Sequence, residues 1–188
     1  VRHELGVAND QILVMNLGHI NSRKNQLGAI SVAAQVVHQK PQVKFCFLGR
    51  LDHSPEYAQQ VKAEIAGQSI AGNILMPGFT TSIPAYLAAA DIYLHTANID
   101  PHPRSVIEAM AARLPVVAFS TDGVSETVVH EETGYLAQEG QVDVLARAIL
   151  ELAQANHLRQ EMGARGRARV EQHFTAELTA HKIRQLID

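Results

Sequence analysis

The chain has 188 residues, of which 46% are hydrophobic and 19% charged, with a net charge of −3 at neutral pH. That length supports one substantial core, the composition excludes disorder, and the mild acidity excludes a general pull toward nucleic acid or an anionic membrane, so any phosphate site is local. A single cysteine, Cys46, excludes an internal disulfide and a cysteine-based zinc site.

The opening residues, Val1-Arg2-His3-Glu4-Leu5, include no initiator Met, which suggests a piece of a longer chain. With no signal peptide and no apolar run near the roughly 18 residues of a membrane span, the expected location is cytoplasmic. Residues 11–17 are apolar without alternation, as in a strand buried on both faces. The run ends at Gly18, and a polar turn carrying His19, Arg23 and Lys24 follows. Leu27, Ile30, Ala34 and Val37 recur at helical spacing and predict a helix over residues 26–38. Residues 43–48 read as a second strand, closed by Gly49-Arg50, with Cys46 as a small buried hydrophobe. Pro55 opens a helix to about residue 66, and residues 73–76 form a short strand ending at Pro77-Gly78-Phe79. Thr81 or Ser82 caps a helix to residue 90, and residues 92–96 are a fourth strand.

The loop Asp100-Pro101-His102-Pro103 then leads into an Ala-rich helix containing Glu108. Residues 115–119 are a fifth strand, followed by a turn around Asp122-Gly123, and residues 133–136 form a short sixth. Beyond residue 142 the pattern is helical, over 142–153, 156–173 and 175–187. Gly163 and Gly166 weaken the second of these, and Arg159, Arg165, Arg167 and Arg169 share a solvated face with Glu161 and Glu171.

This alternation predicts an α/β fold: a Rossmann-like, doubly wound parallel sheet with helices on both faces, plus C-terminal helices, in a single domain over residues 1–188. Each polar loop follows a strand, so all of them gather at the carboxyl edge where such sheets bind ligands. No G-x-G-x-x-G follows the first strand, no Walker A sequence is present, and Ser105 lacks a G-x-S-x-G setting. None of the ten histidines has a partner at a metal-ligand spacing, so no metal is expected. What the loops do carry is Gly18, Arg23, Lys24, Gly49, Arg50, Gly78, Asp100, Glu108, Gly123 and Glu126. Glycines permit close backbone approach, cations meet phosphate, and carboxylates accept paired hydroxyls, an inventory that suits a nucleotide-sugar better than a free nucleotide. Asp100 and Glu108 need not touch: they could hold opposite ends of one extended ligand, with the helix amides near Ser105 and Val106 between them. An Asp in a turn and a Glu in a first helical turn would equally need no ligand.

The ordered set Gly18-x5-Lys24, Gly49, Gly78, Asp100-x7-Glu108-Ala109-Met110-Ala111, Pro115-Val116-Val117-Ala118, Gly123-x2-Glu126 and Thr133-Gly134 resembles the carboxyl-terminal domain of the retaining glycosyltransferases of family 4, group 1, which have the GT-B fold. The resemblance implies a donor nucleotide-sugar site without a cofactor or metal. Lys24 would contact the diphosphate, Asp100 would hold hydroxyls of the transferred sugar where the family usually has Glu, and Glu108 would bind the ribose. The amides near Ser105, Val106 and Ile107 would meet the phosphates. Gly18, His19, Arg23, Gly49, Gly78 and Arg104 complete the expected donor site, with Lys24, Asp100 and Glu108 as its catalytic members. The sequence departs from the family pattern at four further places. His19 stands where Arg is common, with Arg23 as a substitute; His95-Thr96 replaces Pro-Ser, Arg113-Leu114 a small or Gly position, and Asp122-Gly123 a Gly-Gly.

In the resembling family the acceptor site, for a glycan or a lipid-linked molecule, lies mainly on an amino-terminal domain for which this chain has no room. The isolated chain is therefore expected to bind donor and to transfer poorly. The terminal helix, residues 174–188, would cross to that domain, leaving Phe174, Leu178, Ile183 and Leu186 as an apolar stripe through which the chain could dimerise; the full-length protein could touch a membrane peripherally. The competing readings are an inactive nucleotide-sugar-binding or regulatory module and a nucleotide-sugar epimerase of the same architecture.

Overall fold

The computed structural model describes residues 1–52 and 54–187, without the side chains of residues 179, 181–183, 186 and 187. Six strands, β1 (Ile12–Leu17), β2 (Val43–Leu48), β3 (Ile74–Gly78), β4 (Ile92–His95), β5 (Val116–Phe119) and β6 (Gly134–Ala137), form one sheet in the order β3-β2-β1-β4-β5-β6. Every neighbouring pair is parallel. The helices are α1 (Gln26–Gln39), α2 (Pro55–Gly67), α3 (Ile83–Ala89), α4 (Arg104–Ala111), α5 (Val124–Thr127), α6 (Val142–Gln154), α7 (Asn156–His173) and α8 (Ala176–Ile187). This is the Rossmann-like α/β architecture expected from the alternation of elements.

The unalternating strands follow from a sheet covered on both sides. Ile12, Val14, Phe45, Phe47, Leu94, Val117 and Phe119 pack with α1, α2 and α6. Leu13, Met15, Leu17, Cys46, Tyr93, Val116 and Ala118 pack on the opposite face with α4 and parts of α3 and α7. Successive strand residues thus alternate between two cores.

Strand order reverses between β1 and β4, whose ladder contains only Val14↔Ile92 and Met15↔Tyr93. Side chains fasten the rest of that seam. The Asp91 carboxylate accepts from the Leu13 amide at 2.8 Å and pairs with Arg2 at 3.1 Å, and the Asn16 amide donates to the Leu94 carbonyl at 2.9 Å. Above the strands, the Thr96 hydroxyl donates to the Asn25 carbonyl at 3.0 Å, and the Asn25 side-chain amide donates to Asn98 at 2.8 Å.

Two sequence expectations change in the carboxyl-terminal region. Gly163 does not weaken α7, which runs unbroken; a Cβ there would lie 2.0 Å from the Arg113 carbonyl oxygen, so glycine is what allows α7 to rest on the end of α4. Arg113 itself takes a left-handed φ of 63°, the conformation that commonly closes a helix. The arginines of α7 are only partly a solvated face. Arg165 pairs with Glu161 and Arg167 with Glu171 one turn away, but Arg167 also donates to the Ala111 carbonyl, Arg169 to those of Thr127 and Glu126, and Arg159 to that of Leu152. These cations meet the carbonyl ends of α4, α5 and α6, where helix dipoles are negative. Of the terminal apolar stripe, Ile183 and Leu186 lie outside the described side chains, while Phe174 is half-buried against the α4 face of the core.

Candidate functional site

The site begins where β1 and β2 end. Gly18 has a φ of +147°, and its amide donates to the Leu48 carbonyl at 3.0 Å. Gly49 lies so close beneath that a Cβ would fall 1.9 Å from the Gly18 oxygen. Glycine at both positions lets the chain fold back at once. Residues 22–24 form a single 3-10 turn whose cap, Asn21, accepts from the Lys24 amide at 3.0 Å, and Asn25 at φ 51° then caps α1 by accepting from the Gly28 amide. This double cap turns Lys24 back until its stem lies over Gly18.

The facing wall comes from β4 and α4. The Asp100 amide donates to Asp122 at 2.9 Å, anchoring the loop to the turn after β5. The Lys24 ammonium then reaches Asp100 Oδ2 at 2.6 Å, both side chains being at least 85% buried. His95 Nε2 stands 3.1 Å from the same oxygen but off the line of a hydrogen bond. Burial alone would raise the Asp100 carboxyl; the contacts of His95 and Lys24 outweigh it and hold the group well below the usual carboxylate range. Burial drives the His95 pKa below its ordinary value, and the Lys24 charge adds to that against the pull of Asp100. The ionic core of the site is therefore a lysine, a carboxylate and a neutral imidazole.

Between the two walls lies a cavity of about 400 Å³, within the size range of small-molecule sites. Gly18, His19, Arg23, Lys24, Gly49, Asp100, Arg104, Ser105 and Glu108 all line it. The Ser105 hydroxyl is buried at the cavity wall beside the Tyr93 hydroxyl. Gly78 is not in the lining; at φ 89° it turns the end of β3 and delivers Phe79 and Thr80 instead. Val106 is fully buried, and Ile107 faces a neighbouring groove beside Phe174. Their amides are also spoken for, donating to the Pro103 carbonyl at 2.9 and 3.1 Å, while the Arg104 amide turns to His102. A proline at the head of α4 closes its first turn on itself, so the expected phosphate contacts of the Val106 and Ile107 amides have no free N–H behind them.

Sequence reasoning singled out Arg50 but missed Phe79 and His102 as members. Phe79 is 65% exposed, with the Arg50 guanidinium 6.0 Å from its ring centre, and both line the cavity with His102. A large aromatic directly after a Pro-Gly strand end was the available signal. His95 stood out only as part of a departure from the family pattern, and its contact depends on a neighbour five residues on that the fold swings against it. Among the described residues no three His, Cys, Asp or Glu side chains gather as a metal site.

Residues 1–169 match the model of the family described as glycosyl transferases group 1. The chain is 26% identical over 183 residues to the amylovoran biosynthesis glycosyltransferase AmsK of Erwinia amylovora, covering 93% of this chain and 44% of that protein. It is 27% identical over 154 residues to the poly(ribitol-phosphate) alpha-N-acetylglucosaminyltransferase of Staphylococcus aureus, covering 81% and 30% respectively. The fold superposes on Anabaena HepE in complex with UDP with a TM-score of 0.92 at 27% identity, over 99% of this chain and 50% of that one; the HepE complex with UDP-glucose gives 0.91. The chain thus spans half or less of the length of these proteins.

Proposed function

This chain belongs to the glycosyl transferases of group 1, and from that premise we propose that it is the donor-binding half of a GT-B enzyme that takes a nucleoside-diphosphate sugar, a UDP-sugar foremost, and transfers the glycosyl group to an acceptor hydroxyl with retention of configuration. The observation that carries this reading is the convergence of Lys24, Asp100 and Glu108 on one cavity at the carboxyl edge of the sheet. In this reading Lys24 grips the diphosphate. Its ammonium has three donors, and the one spent on Asp100 leaves two for phosphate oxygens. Arg23 and Arg104 line the same cavity and add positive charge. Glu108, exposed on the inner turn of α4, accepts the ribose hydroxyls. As the bond to the sugar breaks, negative charge grows on the departing diphosphate, and preset cations stabilise it without reorganising.

Retention is supported by the Staphylococcus relative, whose name specifies an alpha product; an alpha-linked donor gives such a product only by net retention. The acceptor, a glycan or a lipid-linked molecule, would be held by the partner domain of the GT-B pair, so this chain alone transfers poorly. No helix among the described residues is long and apolar enough to cross a membrane. The test is calorimetry of this chain against UDP-, GDP-, ADP- and dTDP-sugars. UDP-sugars bind, and Glu108→Ala weakens them about tenfold, the worth of a charged hydrogen bond, with the fold intact. Unchanged affinity in Glu108→Ala refutes its placement, and binding of none of the four refutes the function.

A further inference from the structure

His95 is the last residue of β4, fully buried, and no part of the cavity lining. Its ring stacks on Tyr93 two residues earlier, with centroids 6.2 Å apart and planes 21° from parallel, which fixes the imidazole plane. Nε2 is consequently held 3.1 Å from Asp100 Oδ2 and has no aligned hydrogen bond of its own. A buried ring nitrogen is rarely left in that state. The Lys24 ammonium approaches the same oxygen at 2.6 Å. Both contacts thus fall on Oδ2.

We propose that His95 is a positioning residue for the donor sugar: it holds Asp100 Oδ2 from behind the sheet edge so that Oδ1 is presented to the sugar hydroxyls. This rests on the donor-binding reading above and adds to it a residue that touches no ligand. Aspartate has a short reach, so its hydroxyl contact is made only if the carboxylate is already turned outward. With Lys24 as its sole partner the carboxylate would follow the ammonium toward the diphosphate. The imidazole supplies the opposing hold, and the Asp122 contact to the Asp100 amide keeps the backbone from following.

The experiment measures Kd by calorimetry for UDP and for whichever of UDP-glucose, UDP-galactose and UDP-N-acetylglucosamine this chain binds best. It compares the unaltered chain with His95→Phe, which keeps the stack on Tyr93 and loses the ring nitrogen, and His95→Gln, whose side-chain amide reaches the same place. In His95→Phe the UDP constant stays within about twofold while the UDP-sugar constant rises about threefold, less than the loss of a well-aligned hydrogen bond to a charged group because the 3.1 Å contact is close but off line. His95→Gln restores most of the difference. Equal weakening of UDP and UDP-sugar, an unchanged ratio, or no rescue by Gln overturns the proposal. If His95→Phe fails to fold by circular dichroism, His95→Asn, too short to reach Oδ2, must give the same separation. Failure of the unaltered chain to bind either nucleotide overturns the donor reading and this inference with it.

Discussion

Replacing Lys24 with Met keeps most of the stem that lies over Gly18 and removes the charge that Asp100 was folded against. At 2.6 Å the pair attracts by ~6 kcal/mol at an effective dielectric near 20. Much of that offsets the cost of drying two side chains that are 15% and 10% exposed. Breaking one side of a buried pair typically costs about 3–5 kcal/mol. Asp100 sits at the wall of a cavity water can enter, so about 2–3 kcal/mol is the expected loss, or roughly 5–10 °C in Tm for a chain of this size. Asp100→Asn loses less, because the freed ammonium can turn into the cavity. Urea unfolding of the two single variants and the double variant at pH 7 should give a coupling of about 1–2 kcal/mol. The Asp100 pKa is depressed in the fold, so its contribution is complete above the unfolded value near 3.8 and is lost as pH falls below it. The gap between the unaltered chain and Lys24→Met should therefore narrow from pH 4 downward. Single losses that add within about 0.5 kcal/mol at pH 7 would refute the reasoning.

Gly49→Ala forces a Cβ into the Gly18 carbonyl at 1.9 Å; the β1 exit must move, at about 2–3 kcal/mol of stability by urea unfolding, and an unchanged midpoint would contradict the contact. Because Gly18 supports the Lys24 stem, UDP affinity should fall in the same variant. His95 titrates below its ordinary 6.5 in the fold, so the unfolded chain binds more protons between those values and stability declines as pH drops through 6.5; the slope of Tm between pH 7 and 5 should flatten in His95→Phe. Cys46 is fully buried, with its thiol pushed up to about 12 by burial. Disulfide-exchange labelling at pH 8 should be on the order of a hundredfold slower in the native chain than in urea, and fast native labelling would contradict the packing.

The parts legible in the sequence were those that depend on local pattern. Residues 11–17 and 43–48 lack alternation because the sheet is covered twice, and the Asp100-x7-Glu108 spacing did place both acids on one cavity. The parts that were not legible depend on approach between distant segments. Gly163 reads as a flaw in a helix until the Arg113 carbonyl is seen against it, and Arg167 reads as a surface charge until Ala111 is found at its tip. The Val106 and Ile107 amides looked available because a helix start normally offers them, yet the Pro103 carbonyl already accepts both. His95 reads as a departure from the family pattern but gives no hint of its partner. Its nearness to Asp100 is set by a loop anchored to Asp122, a partner 22 residues away that no spacing rule relates to it.

The seam between β1 and β4 joins two sub-sheets of three strands each through two residue pairs and a few polar clasps. Lys24 belongs to one bank of that joint and Glu108 to the other. A molecule gripped by both acts as a rivet across that joint. Mechanical or chemical stress that parts the two banks must first expel it, and a lesion in a clasp such as Asn16 would announce itself as poor retention of nucleotide before any visible melting.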